Sequence, residues 1–172
     1  MTGTLRPGTR ILALDLHPWR YGYAVLETPA ELLDWGVRRR YRKREPRRTF
    51  SMYKGLRFLL DMWRPSLVVI RKPSKRWPRR MQKRIAGLLA VVRRCRIPVR
   101  RIPERAIRGA FGRGERVTQY KTALMLVQRF HFLAGVLPPP RKITESENYQ
   151  MAMFAAVALA VAAGGGNSLV RR

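Results

Sequence analysis

The hydrophobic positions at the start of the chain follow a strand-like pattern. Residues 10–16 and 21–27 are rich in Ile, Leu, Val and Tyr, and the segment HPWR between them, with Pro18, predicts a hairpin turn. A third extended run covers residues 32–40. Three neighbouring strands joined by short connections favour an antiparallel meander.

Helical and strand-like segments alternate in the rest of the chain. Apolar residues recur at helical spacing over residues 49–63, and the run SLVVI at 66–70 predicts a strand covered on both faces. A basic loop then precedes a helix at 81–94, a strand at 96–103, a short helical segment, a Gly-rich loop at 109–116, a helix at 117–133 and a closing helix at 144–163. This order predicts an α/β fold, in which helices flank a mixed five-stranded sheet.

Length and composition favour one domain in a reducing compartment. The chain has 172 residues, which we divide into a domain at 1–163 and a flexible C-terminal tail at 164–172. The single cysteine, Cys95, cannot form an intramolecular disulfide, and we expect it to be a buried small hydrophobe. The longest apolar run, at 151–163, is too short for a bilayer and predicts a buried helix. We therefore expect a cytoplasmic, nucleoid-associated protein without a membrane partner.

The charge of the chain indicates a polyanionic partner. There are 37 Lys and Arg residues against 10 Asp and Glu, which gives a formal net charge of +27. Nucleic acid is the first candidate partner, because the positive charge is spread over three blocks at 38–48, 71–84 and 93–108 rather than gathered in one amphipathic helix. Arginine dominates these blocks, and its guanidinium group favours bidentate phosphate contacts and stacking.

One carboxylate stands out at the end of the first strand. The segment ILALDLHPWRYGYAVLE resembles the opening strand of the RuvC-type Holliday-junction resolvases, a family of the ribonuclease H-like superfamily, at Asp15, Gly22 and Tyr23. The segment IPERAIRGAFGRGERVTQYKTALML resembles the family's glycine loop and following helix, and ENYQMAMFAAVALA resembles its final helix. The resemblance covers nearly the whole chain in the right order. It implies a ribonuclease H-like fold, metal-dependent endonuclease chemistry and a possible homodimer.

The resemblance also places candidate metal ligands. Family members hold two Mg²⁺ ions with four carboxylates, since hard cations prefer oxygen ligands and paired ions stabilise a phosphodiester displacement. Asp15 falls on the first carboxylate position, but Arg71 stands at the second. Glu147 and Gln150 correspond to the two aspartates of the last helix, and Glu145 is a possible substitute. The implied catalytic residues are Asp15 and Glu147, and the implied cofactor is Mg²⁺ or Mn²⁺.

These acids and the two histidines have structural interpretations as well. Asp15 could cap the turn at Pro18, and Glu147 could complete a capping box with Thr144 at the start of a helix. His17 could reach a phosphate or a water, whereas we expect His131, within an apolar helix, to be packed. Neither histidine belongs to a recognisable Ser or Cys triad.

The basic loop after the fourth predicted strand is the strongest candidate for nucleic-acid contacts, because in this fold it lies beside the substrate face. Tyr41 and Trp77 could stack on splayed bases or be buried. The predicted contacts are Arg39, Arg40, Arg42, Arg71, Lys72, Lys75, Arg76, Trp77, Arg79, Arg80, Lys83, Arg113 and Arg116.

Three functions remain open from the sequence. The first is binding of structured or branched nucleic acid by a RuvC-like domain whose metal site is degenerate, because Arg71 places a permanent positive charge where a ligand is needed. The second is an active Mg²⁺-dependent endonuclease, and the third is a basic structural component of a ribonucleoprotein. Phosphate contacts read neither base nor sugar, so the sequence does not separate DNA from RNA.

Overall fold

Five strands form one mixed sheet. The computed structural model describes residues 5–17, 20–28, 31–39, 52–73, 77–112, 117–141 and 148–164. Strands β1 (Arg10–Leu16), β2 (Arg20–Glu27), β3 (Glu31–Arg39), β4 (Leu67–Arg71) and β5 (Val99–Ile102) lie in the order β3, β2, β1, β4, β5. β1, β2 and β3 pair antiparallel, whereas β4 pairs parallel with both β1 and β5. The predicted five-stranded mixed sheet with its initial meander is confirmed.

Helices cover both faces of this sheet. Their bounds are α1 (Met52–Trp63), α2 (Arg79–Arg94), α3 (Glu104–Phe111), α4 (Gln119–Arg129), a 3₁₀ helix (His131–Val136) and α5 (Met151–Ala163). α1 and α2 pack on one face, and α3, α4, the 3₁₀ helix and α5 pack on the other. The central strand β1 is therefore buried on both sides, as expected for a strand of a three-layer fold.

Alternation along β1 distributes its side chains between the two layers. Leu12 and Leu14 join the apolar cluster under α1 and α2, whereas Ile11 and Ala13 join the cluster around α5. α5 itself is apolar around its whole circumference and is buried along nearly its whole length, as the sequence predicts. Odd-numbered positions of β1 therefore face α5, and this parity decides where Asp15 points.

Two helix boundaries predicted from the sequence are wrong. The helix predicted at 117–133 ends at Arg129, because Phe130 leaves helical geometry and buries its ring in the apolar cluster around α5. A 3₁₀ turn follows and leaves His131 exposed, so the prediction that His131 is packed is also wrong.

The closing helix, predicted over 144–163, begins at Met151. Residues 148–150 of the predicted range therefore lie outside the helix. The side chain of Asn148 accepts a hydrogen bond from the backbone N–H of Gln150 at 2.9 Å. Such a local turn competes with helix formation. Gln150 therefore precedes α5 instead of lying within it, and residues 142–147, including Thr144, Glu145 and Glu147, are outside the described residues.

Further predictions concern Cys95, a membrane-spanning helix, the hairpin turn and the C-terminal tail. Cys95 is half-buried rather than fully buried, and its Sγ lies 3.6 Å from Nη1 of Arg57. No helix within the described ranges is long and apolar enough to cross a membrane. The predicted hairpin turn at Pro18 and the tail beyond Gly164 lie outside those ranges.

Candidate functional site

Asp15 lies near the carboxyl end of the central strand, on the face that α5 covers. The residue is only 6% exposed, and Thr28 is the other buried polar residue of the described chain. Gly22 of β2 is the register partner of Asp15, and the backbone carbonyl of Ala152, in the first turn of α5, lies directly against Gly22. A carboxylate in this position is shielded from water and needs partners inside the protein.

Arg71 is the main cationic partner of Asp15. β1 and β4 pair in parallel with Leu14 beside Ile70, so the next residues of the two strands, Asp15 and Arg71, are neighbours on the same face. Nη2 of Arg71 lies 3.3 Å from Oδ1 of Asp15. On the other side, Nε2 of His17 lies 2.7 Å from Oδ2 of Asp15. Protein groups therefore occupy both oxygens of the carboxylate.

The ion pair continues into a chain of charges along the carboxyl edge of the parallel strands. Nη1 of Arg71 donates to Oε2 of Glu104 at 2.7 Å, and Nε of Arg108 lies 3.4 Å from Oε1 of Glu104. Arg71, Glu104 and Arg108 line a cleft together with the polar side chains of Gln119 and Thr122. The order Asp15, Arg71, Glu104, Arg108 thus alternates negative and positive charge.

Glu104 is a partly exposed acid that pairs with both Arg71 and Arg108. Its place in the site was missed, although one signal was available. Glu104 is the first residue of the helix that follows β5, and the carboxyl ends of β4 and β5 share one edge of the sheet. An acid at that point is expected to face residues that end β4.

Tyr23 matches the resolvase pattern but does not point into this site. Its side chain joins the cluster under α1 and α2, and its hydroxyl donates to Oδ1 of Asp34 at 3.4 Å. Burial, with a further contribution from the Asp34 carboxylate, raises the pKa of Tyr23. The aromatic position of the motif is therefore structural.

In the part of the chain that the structure describes, the predicted metal position holds the carboxylate of Asp15 and the guanidinium group of Arg71. Among the described residues, no group of three or more His, Cys, Asp or Glu side chains could hold a metal ion. Asp15 supplies one carboxylate, but Arg71 supplies a permanent charge of the wrong sign at the same place. Gln150 lies just before α5, and the predicted ligands Glu145 and Glu147 are outside the described residues.

The amino end of α2 carries an exposed basic surface at the same edge of the sheet as Asp15, but on the face opposite to α5. Arg79, Arg80 and Lys83 are exposed, as is Lys72 after β4, and the first turn of α2 contains no acid. Positive side chains at a helix amino terminus oppose the helix dipole. An anion bound there would relieve this repulsion and would also meet free backbone N–H groups.

The other residues predicted to contact nucleic acid lie in different surroundings. Trp77 is half-buried against the cluster under α1 and α2. The guanidinium carbon of Arg39 lies 3.2 Å from the ring centroid of Tyr149, a partner that sequence reasoning did not identify. The predicted contact residues outside the described ranges are Arg40, Tyr41, Arg42, Lys75, Arg76, Arg113 and Arg116.

Comparison with known proteins identifies structural relatives. No protein-family model and no curated protein matches the chain. Thermus thermophilus RuvC in complex with a Holliday-junction substrate superposes with a TM-score of 0.63 at 16% identity, covering 90% of this chain and 91% of that chain. A second Thermus thermophilus RuvC structure gives 0.62 at 15% identity, covering 89% and 92%. The yeast mitochondrial Holliday-junction resolvase Ydc2 gives 0.64 at 10% identity, covering 97% and 82%.

These three structures share with the chain a sheet of the same kind and flanking helices over most of their length. At identities of 10–16% the likeness concerns the backbone rather than the side chains of the site. The resemblance found in the sequence is confirmed at this level: the chain has the RuvC-type ribonuclease H-like fold.

Proposed function

We propose that this protein binds structured or branched DNA through its phosphate backbone and has little or no nuclease activity. The observation that carries the proposal is the ion pair between Arg71 and Asp15, with 3.3 Å between Nη2 and Oδ1. It puts the positive charge of Arg71 at the position where the resemblance to the resolvases implies a divalent metal ion.

Electrostatic repulsion disfavours a divalent ion at Asp15. A guanidinium group stays protonated at all physiological pH values, and Arg71 is held from two sides by Asp15 and Glu104. A metal ion at Asp15 would have to displace this group and would then lie within a few ångströms of its charge. In a partly buried site such repulsion is much stronger than in water.

The net charge and the fold both favour nucleic acid as the ligand. The chain has a net charge of +27, and exposed basic side chains surround the amino end of α2 next to the site edge. One structure with this fold is RuvC in complex with a Holliday-junction substrate. These features favour branched DNA as the ligand, with most of the affinity from phosphate contacts.

A second candidate function is a metal-dependent endonuclease, either monomeric or homodimeric. It is favoured by the position of Asp15, buried beside the first turn of α5 through the close contact of Gly22 with Ala152. In that case Asp15 and Glu147 would be the catalytic carboxylates, with Gln150 and Glu145 as further ligands to Mg²⁺ or Mn²⁺.

The test measures binding and cleavage on the same substrates. A labelled four-way junction, a duplex, an RNA duplex and an RNA–DNA hybrid are incubated with the protein in Mg²⁺, in Mn²⁺ and in EDTA. We expect the four-way junction to bind most tightly, with an affinity that EDTA does not reduce, and no strand to be cut. Metal-dependent cutting that Asp15→Asn abolishes would overturn the proposal and establish the endonuclease. Preference for RNA over both DNA forms would favour the ribonucleoprotein component.

The variant Arg71→Glu asks directly whether Arg71 excludes metal. It replaces the cation with a carboxylate beside Asp15, so we expect Mn²⁺ binding, measured by calorimetry, to be tighter than in the unaltered protein. Arg71→Gln is the matched control, since it removes the positive charge but adds an amide oxygen, which is a weaker metal ligand than the carboxylate of Glu. Equal Mn²⁺ affinity in all three proteins would contradict the role given to Arg71.

A further inference from the structure

A second group of arginines lies at the opposite end of the sheet from Asp15. Its members are Arg64 after α1, Arg93 and Arg94 in the last turn of α2, and Arg96 in the turn that follows. All four side chains are exposed. We refer to these four residues as the far arginine cluster.

The backbone fixes the position of the far arginine cluster. Arg64 and Arg96 lie in the turns that lead into β4 and β5, and these strands run parallel to β1. The N–H of Ser66 donates to the carbonyl of Arg10, the first residue of β1, at 2.9 Å. The N–H of Val68 donates to the carbonyl of Pro98 at 3.0 Å. The two turns therefore lie side by side at the amino edge of the parallel strands, whereas Asp15 and Arg71 lie at the carboxyl edge.

Both turns hold an arginine in a conformation that suits glycine. Arg64 has φ of 43° and Arg96 has φ of 57°, and they are the two non-glycine residues with positive φ in the described ranges. This left-handed region is where glycine or asparagine usually ends a helix, because a Cβ atom is strained there. The presence of arginine at both equivalent positions costs stability, and strain of this kind tends to accompany function.

The acids of the neighbouring elements pair with other arginines, Asp61 with Arg57 and Glu27 with Arg10. None of the ion pairs among the described residues includes Arg64, Arg93, Arg94 or Arg96. No ion pair within the described residues therefore neutralises these like charges. The helix dipole favours cations at and just beyond the carboxyl ends of α1 and α2, but it does not account for the left-handed conformation of Arg64 and Arg96.

The far arginine cluster is separate from the basic surface at the amino end of α2. Both lie along the same helix, but residues 85–92 between them carry no charge. A rise of about 1.5 Å per residue puts the two ends of this 16-residue helix roughly 22 Å apart, which is close to the width of a DNA duplex. A duplex segment bound at the amino end of α2 would therefore leave the far arginine cluster uncovered.

We infer that the far arginine cluster binds the phosphate backbone of a second nucleic-acid segment, so that one protein molecule bridges two duplexes. This inference rests on the proposed binding function and adds a second contact surface to it. Exposed guanidinium groups that take part in none of the ion pairs of the described residues suit phosphate oxygens, which accept bidentate hydrogen bonds. A DNA segment there would also offset the repulsion among the arginines.

The experiment uses a duplex fixed on beads and a second, fluorescent duplex in solution, with capture of the second measured after addition of protein. Anisotropy with a single junction measures primary binding in parallel. The test variant is Arg64→Asn with Arg96→Asn, because asparagine tolerates the left-handed conformation and carries no charge. The matched control is Arg79→Gln with Arg80→Gln, which removes two charges at the site end.

We expect the unaltered protein to capture the second duplex and the Arg64→Asn, Arg96→Asn variant to lose about fivefold or more of this capture. Its affinity for a single junction should fall by less than about threefold, and its melting temperature should not fall, since the strained arginines are gone. The Arg79→Gln, Arg80→Gln control should weaken the single-junction affinity more strongly.

Two outcomes would overturn the inference while leaving the proposed function intact. One is an unaltered protein that binds a single junction but captures no second duplex. The other is full capture by the Arg64→Asn, Arg96→Asn variant. That result would mean that a dimer bridges the duplexes with the basic surfaces at the amino ends of its two α2 helices. Absence of any binding to the junction by the unaltered protein would instead refute the proposed function itself.

Discussion

Gly22 of β2 lies so close to the backbone carbonyl of Ala152 in α5 that a Cβ atom at Gly22 would overlap it. Because the obstacle is backbone, no side-chain rotation can relieve the clash, and α5 would have to move. We expect Gly22→Ala to destabilise the fold by about 3 kcal/mol, as measured by denaturant unfolding. The same shift would displace the first turn of α5 from Asp15, the register partner of Gly22.

Gly109 provides the matched control. It lies in α3, is exposed, and has open space around an added Cβ. Gly109→Ala should therefore stabilise the protein by about 0.5–1 kcal/mol through helix propensity alone. If both variants lose stability equally, the close contact between Gly22 and Ala152 is not the cause.

The layers of the fold were predictable because they depend on long hydrophobic patterns. The run that became β4 is apolar at consecutive positions and the run that became α5 is apolar all round, which indicates a strand and a helix buried on every side. The beginning of α5 was not predictable in the same way. The turn made by Asn148 and Gln150 is a single local hydrogen bond, and the surrounding pattern does not distinguish it from a helical start.

The candidate site was predicted in part for a similar reason. Asp15 and Arg71 are adjacent because two strands pair in a register that the resemblance already implied. The contacts of His17 and Glu104 depend on side-chain directions at the ends of β1 and α3, which no periodicity encodes. These partners determine which atoms of Asp15 and Arg71 are accessible, so the chemistry of the site required the structure.

The ion pair between Asp15 and Arg71 should show energetic coupling. Arg71→Met leaves the largely buried carboxylate of Asp15 with His17 as its remaining partner, so we expect a loss of about 1–3 kcal/mol in unfolding free energy. In the double variant with Asp15→Asn most of this loss should be recovered, because no buried charge is left unpaired. Additive losses in a double-mutant cycle would show that the two side chains do not interact.

Glu104 restrains two guanidinium groups that line the cleft. Glu104→Gln removes the negative charge that holds Arg71 and Arg108, so both become available to phosphate. We expect the affinity for a four-way junction, measured by fluorescence anisotropy, to rise about two- to fivefold. Glu31→Gln, at an exposed position at the opposite end of the sheet, makes the same change in net charge and should have a smaller effect. An equal rise in both variants would attribute the effect to net charge alone.

The basic surface at the amino end of α2 should determine how strongly binding depends on salt. Each phosphate contact contributes about 0.9 to the slope of log K against log salt concentration. Replacing Arg79, Arg80 and Lys83 by Gln should therefore reduce the magnitude of this slope by roughly 2–3 on duplexes of any sequence. The control replaces three exposed cations on other segments of the chain, Arg6, Lys54 and Arg141, with the same change in net charge. If the control lowers the slope as much as the α2 variant does, binding follows total charge, and the amino end of α2 is not a defined contact surface.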